Sequence, residues 1–320
     1  MRRVLLRRSP GSLLVLAVLA VLSIGMTGTA RADYPVTYNF FAGIPYELTN
    51  PGGSLPGAND WSCKPTAAHP DPVVLIHGTA GGAQTNWGAY APLLANEGYC
   101  VYALTYGSLD LPWPLSALGG MKPIPASAAQ LGAFVDRVLA ATGAAKVDFI
   151  AHSQGNTVGN YYIKRLGGSG KVDKFVAIAP PWLGLFGDSM NTIRAFAGQL
   201  GITPNTADSL VTMGVICQAC PQMLGGSEFI NALNADGVYD PTVSYTNLAS
   251  NYDEGVWPSV ALVPAPNAVN VLMQADCPTD FSDHMAIAGS SRAATVALNA
   301  LDPEHQRAVP CGFIPPFTGA

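Results

Sequence analysis

Residues 147–166 read VDFIAHSQGNTVGNYYIKRL. VDFIA is a short, largely apolar run of the kind that forms a buried strand, and NTVGNYYIKRL continues as a helix. Between them HSQ leaves room only for a corner. A turn this sharp crowds its flanks, so small residues are needed there, and Ala151 and Gly155 fill those places. Such an elbow lifts the Ser153 hydroxyl to the carboxyl end of a sheet and aims a helix amino terminus at it, which favours negative charge developing nearby. An A-x-S-x-G pentapeptide by itself occurs by chance, and a serine in an ordinary strand–helix joint is the plain alternative. The strand before it and the helix after it make Ser153 a candidate nucleophile.

The same alternation runs outward in both directions. Upstream, residues 72–76 (PVVLI) read as a buried strand stopped at His77-Gly78, and residues 86–96 place Trp87, Tyr90, Leu93 and Leu94 at helical spacing. Residues 99–106 (YCVYALTY) form the next strand, and residues 126–142 a helix closed by Gly143. Downstream, residues 172–179, 243–248 and 268–273 read as strands, and a helix is expected from about His284 to Leu301. Strands alternating with helices in this way imply an α/β fold, a mostly parallel sheet with helices on both faces. The rhythm breaks at about 180–240, a stretch rich in Gly, Met and Trp that reads as short helices inserted above the sheet like a lid.

The first residues carry Arg2, Arg3, Arg7 and Arg8, then an apolar run over 13–24, then Ala30-Arg31-Ala32 as a small-x-small cleavage site. This is the pattern of a secretory signal peptide over 1–32, followed by one domain over 33–320 that carries the insertion. The apolar run falls short of the roughly 20 residues of a spanning helix, so a membrane anchor is not expected. Without 1–32 the chain holds 11 basic against 21 acidic side chains, which argues against nucleic acid or an anionic membrane as the main partner. Cys63, Cys100, Cys217, Cys220, Cys277 and Cys311 all follow the leader, and an even number of cysteines in an exported chain reads as disulfides with the pairing left open. Cys217 and Cys220 have redox-motif spacing without the strand-to-helix context of a thioredoxin, which favours a structural bridge. No Cys/His cluster has zinc spacing and no acidic loop fits calcium, so neither a catalytic metal nor another cofactor is expected, and structural calcium on scattered carboxylates is left open.

A serine hydroxyl needs a base within hydrogen-bond reach and a third group to orient that base. In a sheet of this type the partners follow in the order serine, acid, histidine. His284 lies just after a strand in TDFSDHMAIAG and is expected to open the last helix, whereas His305 lies in the tail segment DPEHQ. His152 adjoins Ser153, but neighbours at a corner point apart, so it reads as a pocket-lining or packing residue. His77 reads as a structural hydrogen-bonding residue and His69 as part of a surface loop. The acid belongs in the loop NYDEGVWP, where Asp253 is preferred over Glu254 because a shorter side chain holds imidazole more rigidly. Asp280 and Asp283 compete, Asp283 also as a helix cap. The tetrahedral intermediate needs two N–H donors, taken as Gln154 and, in HGTAGG, Thr79, whose hydroxyl would add a third. A mere glycine turn is the plain alternative for that loop.

HGTAGG, AHSQG, YDEGVWP and the late Asp283-His284 pair resemble the motifs of secreted bacterial class 2 lipases in the α/β-hydrolase superfamily. In order and spacing they are also similar to fungal lipase B, over about residues 63–311. The resemblance implies an α/β-hydrolase fold, a triad at Ser153, Asp253 and His284, and an oxyanion hole at Thr79 and Gln154. It implies a Cys63–Cys100 bridge and a Cys277–Cys311 brace on the loop carrying His284. Cys217, Cys220 and the detail of the insertion have no counterpart in it. The implied activity is hydrolysis of carboxylic esters, with triacylglycerols or other lipid esters foremost. The alternatives are short soluble esters, polyesters or acyl transfer to an alcohol, and, from another class, a non-catalytic binding module. Residues 109–121 (LDLPWPLSALGGM) and 180–190 (PPWLGLFGDSM) are unusually apolar for loops. They suggest an acyl channel or a surface that meets lipid, unless they pack on each other. The expected partners are a hydrophobic ester and a transient lipid interface, with the chain acting as a monomer.

Overall fold

The computed structural model describes residues 33–319, and the leader expected at 1–32 lies outside them. In chain order the elements are α1 (Ile44–Thr49), β1 (Val73–Ile76), α2 (Tyr90–Asn96), β2 (Val101–Leu104), α3 (Ile124–Thr142), β3 (Val147–His152), α4 (Gln154–Arg165) and β4 (Val172–Ile178). Then come α5 (Ser189–Gln199), α6 (Pro204–Thr212), α7 (Glu228–Leu233), β5 (Ser244–Ala249), α8 (Pro258–Ala261), β6 (Ala268–Leu272) and α9 (Ser291–Leu301). The six strands form one sheet in the order β2-β1-β3-β4-β5-β6, every pair parallel.

The two-residue period of the strands decides which side chains meet which helices. Val74, Ile76, Phe149, Ala151, Phe175 and Ala177 face α3 and α4, against Leu131, Val135, Val138, Val158 and Tyr162. Val73, Leu75, Ile150, Val176, Ile178 and Leu248 face the other way, against Tyr90 and Leu94 of α2 and Ala294, Ala297 and Leu298 of α9. Covering both faces explains why the strands read as continuous apolar runs. Each fully buried Val, Leu, Ile or Phe contributes about 1.5–3 kcal/mol, so the sheet makes a stiff platform for the loops at its carboxyl edge. The chain moves from β1 to one side to form β2 and to the other to form β3. Ligand crevices open at the carboxyl ends of strands beside such a switch point.

The element boundaries depart from the sequence reading where local chemistry competes. α2 begins at Tyr90 rather than 86, and the Asn86 side chain accepts the Gly78 N–H instead. α3 starts at Ile124, with a proline in its first turn where the ring's fixed φ suits a helix, and stops at Gly143, which takes φ 78°. The final helix does not begin at His284. A short 3-10 turn, Ala286–Gly289, comes first, and Ser290 then caps α9 by accepting the Ala293 N–H at 3.1 Å. His284 therefore sits in a loop. The segment before β1 contributes α1 and the turn Phe40–Gly43, neither anticipated from sequence. Between β4 and β5 lie α5, α6 and α7, with α5 and α6 joined by the Arg194–Asp208 ion pair at 2.8 Å.

The cysteines pair as Cys63–Cys100, Cys217–Cys220 and Cys277–Cys311. The first ties the segment before β1 to the start of β2, and the third ties the loop after β6 to the carboxyl-terminal segment.

Candidate active site

Ser153 has φ 53° and ψ −123°, a conformation that costs a non-glycine residue about 1–3 kcal/mol. The surroundings hold it there. Its N–H donates to the Ile178 carbonyl at 3.0 Å, and the buried Asn156 amide donates to the carbonyls of both Ser153 and Ile178 at 3.0 Å. A Cβ on Gly155 would stand 2.2 Å from the Ile76 carbonyl oxygen, so α4 approaches β1 this closely only with glycine there. Asn156 escaped the sequence reading because nothing local distinguishes an elbow-bracing amide from any other asparagine in a helix.

Three loops bring the other candidates to Ser153. His284, after β6, has Nε2 2.8 Å from Ser153 Oγ and Nδ1 2.6 Å from Asp253 Oδ2, after β5. Asp253 is buried, and its Oδ1 accepts the N–H groups of Gly255 at 3.0 Å and Val256 at 2.7 Å, which fixes the carboxylate. A buried carboxylate that accepts at Nδ1 selects the tautomer in which Nε2 is free to take the serine proton. Burial opposes the imidazolium, but the hydrogen bond and charge of Asp253, with Glu254 and Asp283 behind, outweigh it and raise the His284 pKa above its ordinary value.

The competitors have other work. Asp283 accepts from the N–H groups of Met285, Ala286 and Phe317, capping the 3-10 turn and tying down the carboxyl-terminal segment. Asp280 accepts from Ser282. His305 is exposed and bonded to Asp302, and His69 stacks on Tyr99. His77 is buried, donates from Nδ1 to the Gly78 carbonyl and accepts the Tyr106 N–H at Nε2; burial lowers its pKa to about 4.

Thr79, after β1, and Gln154, the first residue of α4, both lie beside Ser153. Gln154 N–H belongs to the first helical turn, which has no carbonyl one turn back to bond. The Thr79 hydroxyl donates to Gln154 Oε1 at 2.8 Å, so its one proton is engaged and does not serve as the expected third donor. Gln154 Nε2 in turn donates to the Gly120 carbonyl at 2.8 Å, linking the Thr79 loop to the loop after β2.

Ser153 and His284 open onto a cavity of about 780 Å³. Its walls are Phe40, Phe41, Ile44 and Leu48 on one side, Trp113 and Leu118 on another, and Leu185, Phe186, Val211 and Met223 from the region between β4 and β5. The two apolar loops noted in the sequence thus line one cavity. Among the described residues, Glu47 and Glu254 are the carboxylates at its wall, and no lysine or arginine lines it.

Residues 70–296 match the family described as lipase (class 2). The chain belongs to the class 2 lipase family. It is a carboxylic-ester hydrolase with the α/β-hydrolase fold. Among solved structures, this class 2 lipase resembles the mature form of the Bacillus licheniformis lipase BlEst2 at 15% identity and TM-score 0.53, over 78% of this chain and 96% of that one. It resembles Aspergillus fumigatus lipase B at 19% identity and TM-score 0.54, over 80% of this chain and 57% of that one, spanning little more than half of the fungal protein. At these identities the likeness is one of fold.

Among the described residues, one group of carboxylates, Asp71, Asp148 and Asp173, gathers within 4.8 Å. Lys146 and Lys174 are already ion-paired with it.

Proposed function

We propose that this protein is a secreted serine hydrolase of lipid esters, triacylglycerols foremost, acting through Ser153, His284 and Asp253. One observation carries the reading. A hydrogen-bonded chain runs from Ser153 Oγ through His284 to a buried carboxylate, and it opens onto a cavity lined mainly by apolar side chains. Ser153 Oγ attacks the acyl carbonyl carbon as His284 Nε2 takes its proton, and the oxyanion is met by the main-chain N–H groups of Thr79 and Gln154. His284 returns the proton to the leaving alcohol, leaving an acyl-enzyme. Water then attacks the acyl carbon as His284 Nε2 takes its proton; the bond from the acyl carbon to Ser153 Oγ breaks as His284 returns that proton to Oγ, and the freed acid gives its own proton to solvent and departs as its carboxylate.

A wall that, among the described residues, holds no lysine or arginine favours an uncharged ester over an anionic one. Phe41, Ile44, Leu48, Trp113, Leu118 and Val211 line the cavity and are also exposed, so its mouth is an apolar rim suited to a neutral lipid surface. The acidic balance of the chain suits such a surface better than an anionic bilayer. The leader pattern and three disulfides support export.

The test is hydrolysis of p-nitrophenyl esters from acetate to palmitate beside an emulsified triglyceride, by wild type and Ser153→Ala. Activity on long chains and emulsion that the variant lacks is expected. Activity confined to short soluble esters would make the protein an esterase, and preferential transfer to an added alcohol an acyltransferase. Full activity in Ser153→Ala would remove Ser153 from the mechanism.

A further inference from the structure

His284 stands in a loop, where neither helix nor sheet hydrogen bonds fix its main chain. Its imidazole must nonetheless sit between two partners, Ser153 and Asp253, with little tolerance. Its own N–H points at Glu254 Oε2 across 3.4 Å, a long bond to an exposed side chain. The carbonyl is better held. It accepts from Nε2 of His152 at 2.8 Å. A carbonyl can only accept, so this contact assigns the proton of the neutral His152 ring to Nε2. The ring is buried, packs edge-on against Phe40, and lies 5.0 Å from the His284 ring between centroids. Burial first, and the neighbouring His284 next, lower its pKa to about 3, so it is neutral and no second base.

The other side of the ring reaches the loop after β1. With its proton on Nε2, His152 Nδ1 has only a lone pair, so its 3.2 Å approach to Asn86 Oδ1 is a contact between two acceptors and not a hydrogen bond; that oxygen instead accepts the Gly78 N–H at 3.0 Å, one residue before Thr79. A Cβ on Gly78 would meet His152 Nδ1 at 3.0 Å and Ser153 Cβ at 3.1 Å, so loop and elbow are in close contact. The corner that presents Ser153 to the ring of His284 therefore also presents His152 to its main chain.

We propose that His152 is a positioning residue, resting on the ester-hydrolase reading of this site. Its Nε2–H clamps the His284 carbonyl, so that the imidazole is held against Ser153 and Asp253, and its ring is backed by Phe40 and by the close approach of Gly78. It touches no reacting atom.

The test compares His152→Gln with His152→Met, side chains of similar length and flexibility of which only the first carries an N–H that can reach the carbonyl, and adds His152→Phe as a ring without a donor. Three readouts are taken: kcat and KM on p-nitrophenyl butyrate, the low-field NMR signal of the His284 Nδ1 proton bonded to Asp253, and the melting temperature. A misplacement of the imidazole by about 1 Å lowers kcat about 10²-fold, so that loss is expected for Met and Phe with KM within about twofold and the low-field signal broadened or absent. The Gln variant should stay within about tenfold of wild type and keep the signal. Wild-type kcat in the Met or Phe variant, or equal losses of rate and signal in Gln and Met, would overturn the proposal, the second because packing rather than the donor would be responsible. If one donorless variant does not fold, the other serves against Gln. The NMR readout needs no substrate, so a wild type inert toward every ester would refute the ester reading while the signal still decides this one.

Discussion

Replacing Asp253 by Asn removes one charge and almost no shape. Oδ1 keeps its two N–H donors, Gly255 and Val256, so the loop after β5 has no reason to move. The change falls on the other atom. Oδ2, which accepts from His284 Nδ1 at 2.6 Å, becomes an amide nitrogen that can only donate. The imidazole is then driven to carry its proton on Nε2, the atom 2.8 Å from Ser153 Oγ, where a base is required. In a serine protease the same reversal of tautomer costs kcat about 10⁴-fold, equivalent to about 5 kcal/mol of activation free energy, and that loss is expected here. The assay is kcat on p-nitrophenyl butyrate from pH 5 to 10 together with a melting curve. The melting temperature should move by only a few degrees, roughly the effect of 1 kcal/mol or less. A kcat within about tenfold of wild type, in a folded variant, would show that Asp253 does not set the tautomer and would refute the reasoning.

For wild type, the acid limb of kcat/KM should have its midpoint above 6.5, because the His284 pKa is raised and only the neutral imidazole accepts the Ser153 proton; a midpoint below 6.5 would contradict this. Asp148 is buried and its pKa is pushed up to about 7, chiefly by desolvation, with Lys174 opposing. Between the unfolded value of 3.8 and about 7 the folded state therefore holds the extra proton, and stability falls as pH rises through that window. Asp148→Asn should raise the melting temperature at pH 8 relative to wild type and change it little at pH 4; the opposite order would reject the assignment. Gly155→Ala should destabilise by about 1–3 kcal/mol or more and lower kcat, because the new Cβ meets the main chain of β1, whereas Gly170→Ala, with open space around it, should do neither. The Cys63–Cys100 and Cys277–Cys311 bridges span sequence separations of 37 and 34, so reduction should cost roughly 4 kcal/mol for each by chain entropy. An unchanged melting curve in reductant would count against both.

Much of this protein is legible along the chain because its causes are local or periodic. The strands announce themselves as apolar runs because helices cover both faces of the sheet, and the Ser153 elbow is visible because a corner between strand and helix accepts only small flanking residues. Asp253 and His284 follow from chain order, since each loop at the carboxyl edge is carried there by the strand before it. The sequence could not convey which groups converge across loops. Asn86 reads as a helix residue and becomes a brace for the Gly78 main chain. His152 reads as a pocket-lining or packing residue; it does line the cavity, and it also bonds the main chain of His284, 132 residues away. The Thr79 hydroxyl reads as a free donor and is taken by Gln154. Residues 33–49 escape notice altogether, because a single helical turn and a half of apolar residues has no period to detect, yet Phe40, Ile44 and Leu48 form one wall of the cavity. Local sterics and the two-residue and 3.6-residue periods determine the elements and their order from sequence alone. The partner of each polar group is chosen only when separate loops are brought within about 3 Å of one another, a distance that only the packed tertiary structure sets.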